Sequence, residues 1–323
     1  MKHSVCNLYS KYLILLFLLV SLFYSCRKGG CGTNWKDQPL RDSLIKNLDK
    51  VSTKDLELFF KKGKSPDPHY DAIYSYELGK RYCDSNRISD AISWHEKSIA
   101  ESKITNDTIL IINALNELSY DYLRAEFSKA AKEYADKAIG LSNTILKNNP
   151  KNKHAIGASI YSLRRLGHAY MEMGQYNKAR KQFHIALTHS RLMNDIVEAS
   201  RYEAVIGETY EKENLLDSAG YYFNLALMHY MFENHPLGVS FCYLHLGNVF
   251  KEKGDIQQAI ELYEAGFNAI QGVDGKFEQF AALKNLIISL NSINKYEQAY
   301  KKCAWKAWHW PKSMILQRIE YLC

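Results

Sequence analysis

Glycine and proline are scarce, at 17 and 6 residues in a chain of 323, well below the roughly 12% of ordinary usage that the two share. That shortage disfavours a turn-rich sandwich or barrel and suits long helices with few interruptions. Cysteine is sparse and scattered. The seven residues, Cys6, Cys26, Cys31, Cys83, Cys242, Cys303 and Cys323, include no C-x-x-C pair, so neither a disulfide framework nor a zinc site is indicated. Cys83 and Cys242 read as small buried hydrophobes. No H-E-x-x-H, G-x-S-x-G, P-loop or G-x-G-x-x-G occurs, and no triad or acid/base pair stands out. A non-catalytic protein without cofactor or metal is therefore expected. Trp94-His95-Glu96 reads as an exposed polar cluster on a helix, and His235 and His245 as structural or solvated.

A basic face on the folded body is lacking too. The formal charge is +7, but the excess sits at the ends. Lys2, Lys11, Arg27, Lys28 and Lys36 lie before residue 39, and Lys301, Lys302, Lys306, Lys312 and Arg318 lie after residue 300. The segment 39–300 is near neutral, which argues against a nucleic-acid partner.

The longest apolar run, Tyr12 to Tyr24, fits a signal-peptide core and is short of the ~20 residues that span a bilayer. It ends in Ser25-Cys26. This resembles a bacterial lipoprotein signal, whose cysteine is lipidated and becomes the mature N-terminus, although Tyr24 is bulkier than the usual residue there. An uncleaved signal-anchor is the alternative. The resemblance implies a signal peptide at 1–25, a lipidated Cys26, a Gly-rich flexible tether at 26–38 and membrane attachment through the lipid. The expected address is the cell envelope, as an outer-membrane lipoprotein facing the periplasm.

What is abundant is self-similarity. Leu166-Gly167, Tyr170, Gly174, Ala179, Phe183 and Ala186 are followed forty residues on by Ile206-Gly207, Tyr210, Asn214, Ala219, Phe223 and Ala226. A third set is Leu246-Gly247, Phe250, Gly254, Ala259, Tyr263 and Gly266. The frame extends to Leu78-Gly79, Tyr82 and Ala91, to Leu118-Ser119, Tyr122 and Ala131, and to Leu286-Ile287, Leu290 and Ala299. Leu166, Gly167 and Tyr170 share one face of a first helix; Ala179, Phe183 and Ala186 share one face of a second. The turn slot holds Asn86, Gly174, Asn214, Gly254 and Asn294, residue types that tolerate left-handed backbone. The frame breaks once, by eight residues, where Lys147 to His154 includes Pro150; that polar stretch reads as a loop insertion.

The pattern L-G-x-x-Y followed by A-x-x-x-F resembles the tetratricopeptide repeat, in a long bacterial form with a period of about 40. The resemblance implies an all-α fold, a right-handed superhelical solenoid of antiparallel hairpins. Six hairpins would fill 70–305, after an N-terminal helical cap or degenerate repeat at 39–69. The Trp-rich tail 306–323 is atypical and stands open as a docked cap, a partner-binding segment or the end of a truncated product.

First helices line the concave groove of this family. Carried over position by position, groove residues are Asn113, Asn116, Tyr120, Tyr161, Arg164, His168, Arg201, Glu208, Phe241 and Asn248. Amide, guanidinium and phenol groups suit a protein or peptide ligand. Tyr76 and Glu117 stand in two slots of the family's best-known carboxylate-gripping set, so a chaperone tail is not expected. The resemblance leaves two roles: a non-catalytic protein- or peptide-binding scaffold, or the sensory portion, whole or as a truncated remnant, of a membrane-associated signalling regulator.

Overall fold

The computed structural model describes residues 48, 51–61, 68–271, 273 and 276–292. The signal run, Cys26, the tether, the sixth second helix and the tail 306–323 lie outside the described residues. Twelve helices and no strand occur among the described residues. They are α1 Thr53–Lys61, α2 Pro68–Asp84, α3 Ile88–Ile104, α4 Thr108–Arg124, α5 Ser128–Asn148 and α6 Lys153–Glu172. There follow α7 Tyr176–Leu192, α8 Ile196–Lys212, α9 Leu216–Phe232, α10 Pro236–Glu252, α11 Ile256–Ala269 and α12 Lys276–Ser292. Among the described residues no helix is long and apolar enough to cross a membrane.

Eight of the linkers between successive helices are three residues long, and one geometry serves all eight. The middle residue has positive φ at Asn86, Asn106, Glu126, Gly174, Asn194, Asn214, Asn234 and Gly254. The amide after it donates back to a carbonyl five residues earlier, as in Arg87 N to Tyr82 O at 2.8 Å and Gln175 N to Tyr170 O at 2.8 Å. This reversed bond caps a carbonyl left free at a helix end. At five helix starts a side chain supplies the N-terminal cap. Asp107, Asn152, Asp195, His235 and Asp255 accept the amides of Leu110, Ala155, Glu198, Gly238 and Gln258, satisfying donors that the helix cannot. Each of these turns is thus closed by local chemistry alone.

Most of the eight-residue break goes into lengthening the helices on either side of it. Only residues 149–152 leave helical geometry; α5 runs to Asn148 and α6 starts at Lys153, each longer than the 17-residue helices around them. The loop expected over Lys147 to His154 is thereby narrowed to residues 149–152. Pro150 stops α5 because it disfavours helical backbone at the residue before it, where Asn149 has φ −143 and ψ 86. It has no power over the residues further away, and those add turns to both helices.

The core of each central hairpin is a large ring laid on a residue without a side chain. A Cβ on Gly167 would lie 2.2 Å from Cε1 of Phe183, and one on Gly247 would lie 2.4 Å from Cε1 of Tyr263. Phe183, Phe223 and Tyr263 are wholly buried. In the first hairpin His95 takes the ring's place, with Gly79 beneath it. The reading of His95 as exposed is therefore overturned: it is completely buried, and its Nδ1 lies 2.5 Å from Oδ2 of equally buried Asp121. In the second hairpin the pair becomes Ser119 and Ala135, and Ser119 Oγ donates to the Ala131 carbonyl at 2.7 Å.

Hairpins pack on both neighbours. First helices touch across the junctions α2–α4, α4–α6, α8–α10 and α10–α12, whereas no two second helices meet to that extent among the described residues. The side with closer packing is the inside of a curve, so the first helices form the inner wall. At the N-terminal end Leu48, Val51 and Leu56 pack with Ala72, Ile73 and Leu78, covering α2. Cys83 and Cys242 are buried free thiols; burial pushes the Cys83 thiol up to about 12, with Asp121 adding to the shift.

Candidate functional groove

A first helix has two sides to satisfy. Gly167 and Tyr170 pack on α7 and Leu166 is buried, and with 3.6 residues per turn the side chains of Tyr161, Arg164, Arg165 and His168 stand together on another face. The same positions on α4 hold Asn113, Asn116, Glu117 and Tyr120, and those on α8 hold Arg201 and Glu208.

The centre of this wall is charged and aromatic. The guanidinium of Arg164 lies over the Tyr161 ring at 4.5 Å, and that of Arg165 over Tyr120 at 4.2 Å. Arg164 is 3.6 Å from Glu198, and Arg165 donates to Glu117 at 3.5 Å. Glu198 is held more closely by Arg201 at 2.9 Å and by the Tyr202 hydroxyl at 3.0 Å. Tyr161 is 48% exposed, the most open aromatic on this wall. His168 packs edge-on against Phe183 at 5.4 Å; burial, then the charges of Arg165 and Arg164, lower its imidazole to about 4. It stays neutral at physiological pH.

Towards the C-terminal hairpins the wall becomes acidic. Burial raises the Glu208 carboxyl above its ordinary range, with Glu211 and Glu172 adding to the shift against His245 and Lys212. His245 Nδ1 meets Glu211 at 2.5 Å, and its ring lies 4.2 Å from Phe241 and 4.9 Å from Phe223. His235 caps α10 and stacks on Tyr230, so both histidines are structural.

The expected groove residues divide. Tyr120, Tyr161, Arg164, His168 and Arg201 are brought together at the centre. Glu208 and Phe241 lie further along, and Asn113 is half-buried on α4. Two assignments are corrected. Asn116 is only 3% exposed and donates to the Ala158 carbonyl at 3.3 Å, so it ties α4 to α6. Asn248 Oδ1 accepts from Tyr263 and Asn285 at 2.9 and 3.1 Å, while its Nδ2 donates to Glu211; it joins α8, α10, α11 and α12. Both carry amides at exposed-looking helical positions, and only the packing of the next hairpin shows that these amides are engaged. Position-by-position matching to the repeat overlooks Arg165 and Glu198. For Arg165 the doublet Arg164-Arg165 is a signal, one step along the same face. Glu198 lies outside the repeat's usual groove positions.

A separate cleft of about 550 Å³ opens on the outer side between α3 and α5, over α4. Ile99, Ile111, Leu115, Leu118, Tyr134 and Leu141 line it, and none of the expected groove residues reaches it.

Comparison with known proteins agrees with this architecture. The tetratricopeptide-repeat family model matches residues 162–184 and 242–269, which fall on α6–α7 and α10–α11. Tetratricopeptide repeats are therefore present at those two places. No curated protein matches the chain by sequence. Solved structures do resemble it. A Rap protein complexed with competence and sporulation factor superposes with a TM-score of 0.60 at 14% identity, covering 87% of this chain and 88% of that one. The signal-transduction ATPase with a tetratricopeptide-repeat sensor from Pyrococcus horikoshii gives 0.63 at 13% identity, covering 86% of this chain and 43% of that one. The Rap conjugation gene regulator of plasmid pLS20 in complex with the Phr* peptide gives 0.52 at 19% identity, covering 72% and 62%. At these identities the likeness is one of fold, and the fold is a TPR-like helical solenoid.

Proposed function

We propose that the protein is a non-catalytic scaffold that binds a peptide or protein segment along the inner wall of its first helices. The observation that carries the reading is the cluster of Tyr120, Tyr161, Arg164, Arg165 and Arg201 on that wall, where donors and aromatic faces adjoin. Stiff aromatic surface and guanidinium forks are what anchor extended partners. Two of the similar folds were solved in complex, one with the Phr* peptide and one with competence and sporulation factor, in line with this reading.

We further propose that the protein is exported and held by lipid on Cys26, with the groove facing the periplasm from the outer membrane. The support is the short apolar run ending in Ser25-Cys26. More than one acyl chain gives firm attachment, at about 0.8 kcal/mol per buried methylene. A sensory role is the second reading, favoured by the likeness to a repeat sensor of a signalling ATPase.

A photo-crosslinking amino acid placed at Tyr161, in the groove, and at Tyr221, on the outer side of α9 and 64% exposed, tests the binding surface in cells. A defined partner captured from position 161 and not from position 221 supports the groove. Equal capture from both, or from 221 alone, refutes it. Labelling with a palmitate analogue in the native and Cys26→Ala forms tests the anchor, which fails if both label equally.

A further inference from the structure

We infer that the centre of the groove, at Arg164 and Arg165 of α6, is a carboxylate subsite that selects an acidic side chain in the bound peptide. The inference rests on the groove-binding reading above and adds the chemistry that the ligand must present.

The donors come first. A guanidinium carries five N–H groups in its plane. Stacking on a tyrosine uses the flat face and leaves the N–H edge pointing outwards. Both guanidiniums here lie over a tyrosine ring, 4.5 and 4.2 Å from the ring centres of Tyr161 and Tyr120. Their edges are poorly matched by the protein. Arg165 makes a single hydrogen bond among the described residues, to Glu117 at 3.5 Å, the outer limit of such a bond. Arg164 approaches Glu198 only to 3.6 Å, beyond a normal charge-assisted hydrogen bond. The Nε atoms of both residues are buried with no partner. The two side chains are only 14% and 12% exposed, so water does not fully replace what is missing.

Charge points the same way. Three guanidiniums, Arg164, Arg165 and Arg201, face two carboxylates, Glu117 and Glu198. Glu198 is already bound by Arg201 and Tyr202 at 2.9 and 3.0 Å. The neighbouring Glu77 is taken by Arg81 at 2.8 Å and Lys80 at 3.6 Å. His168, the next group along α6, is neutral and offers no compensating charge. One positive charge is left over, and Arg164 and Arg165, unlike the 46% exposed Arg201, are largely desolvated. An underpaired guanidinium of this kind is costly, and a planar carboxylate meets its fork with two parallel bonds. Burial lowers the Arg165 pKa, against the pull of Glu117, consistent with a cation short of partners. A neutral peptide would leave those donors unmet, and the cost of that is what discriminates against it.

The test uses the detergent-solubilised full-length protein and two pools of fluorescein-labelled randomised octapeptides. The pools are identical except at a fixed fourth residue, which is Asp or Glu in one and the isosteric Asn or Gln in the other. The readout is the ratio of the two affinities, so a general loss of binding does not imitate the effect. The wild type is expected to favour the acidic pool at least tenfold, and R164Q/R165Q to bring the ratio below about twofold. Should that variant not fold, the single change Arg165→Lys, which keeps the charge and loses the fork, is expected to reduce the ratio at least threefold. Equal affinity of the wild type for both pools overturns the carboxylate subsite and leaves groove binding intact. Failure of both pools to bind at all overturns the groove reading itself.

Discussion

At the scale of the residue, three helical glycines with different surroundings make a graded test. A Cβ on Gly167 would sit 2.2 Å from the Phe183 ring, one on Gly207 would sit 3.0 Å from Phe223, and one on Gly140 would meet nothing within 4 Å. Gly167→Ala is expected to destabilise the protein by about 1–3 kcal/mol through overpacking, and Gly207→Ala by less. Gly140→Ala should stabilise by up to about 1 kcal/mol through helix propensity. Urea unfolding midpoints give the order, and a harmless Gly167→Ala would contradict the ring-on-backbone core. His168 supplies a second residue-scale test. Its imidazole titrates near 4 in the folded chain and near 6.5 when unfolded. Between those values the unfolded chain binds more protons, so stability falls as pH drops through this window. The loss is about 1–3 kcal/mol once incomplete burial is allowed for. His168→Gln should lose less stability than the wild type between pH 7.5 and pH 4.5, measured by denaturant titration at both.

At the scale of the element, the linkers decide the geometry. Eight residues take positive φ among the described residues, and seven of them are Asn or Gly; Glu126, at φ 64, is the exception. A residue with a Cβ incurs about 1–2 kcal/mol in left-handed backbone. Glu126→Gly is therefore expected to raise stability by about 1 kcal/mol, and Asn214→Val to lower it by about 1–2 kcal/mol. Thermal melts of the two variants should move in opposite directions. Part of this is plain in the sequence, where Asn86, Gly174, Asn214 and Gly254 recur at one slot. The matching slot between hairpins, Asn106, Asn194 and Asn234, recurs just as regularly and is followed by a capping Asp or His. It is harder to read because the L-G-x-x-Y and A-x-x-x-F signatures bracket the turn inside a hairpin and leave the turn between hairpins unmarked.

At the scale of the whole molecule, the packing is uneven. Hairpins three to five are sealed by Phe183, Phe223 and Tyr263. The junction of hairpins one and two instead buries His95 with Asp121, and inside hairpin one Ser75 is bonded to Glu101 at 2.8 Å. The buried Nε2 of His95 and Oδ1 of Asp121 have no partner. In an array where each hairpin leans only on its neighbours, a junction with unmet polar groups opens at lower free energy. Native-state hydrogen exchange should show α2 and α3 exchanging through partial opening well before α7 to α10. Uniform protection along the array would exclude this weak joint.

The sequence by itself determined the helical hairpins, because a helix needs only its own apolar spacing, its caps and a residue tolerant of left-handed backbone. It also determined the ring-on-glycine cores, since both partners recur at constant separation in the chain. Tertiary structure alone decided which polar side chains stay free. Asn116 and Asn248 look like groove residues until the next hairpin engages their amides, and His95 looks exposed until Asp121 arrives from 26 residues away. Hydrogen-bond partners supplied by another hairpin leave no mark on a helix's own periodicity, so the groove's composition becomes visible only once the hairpins are stacked.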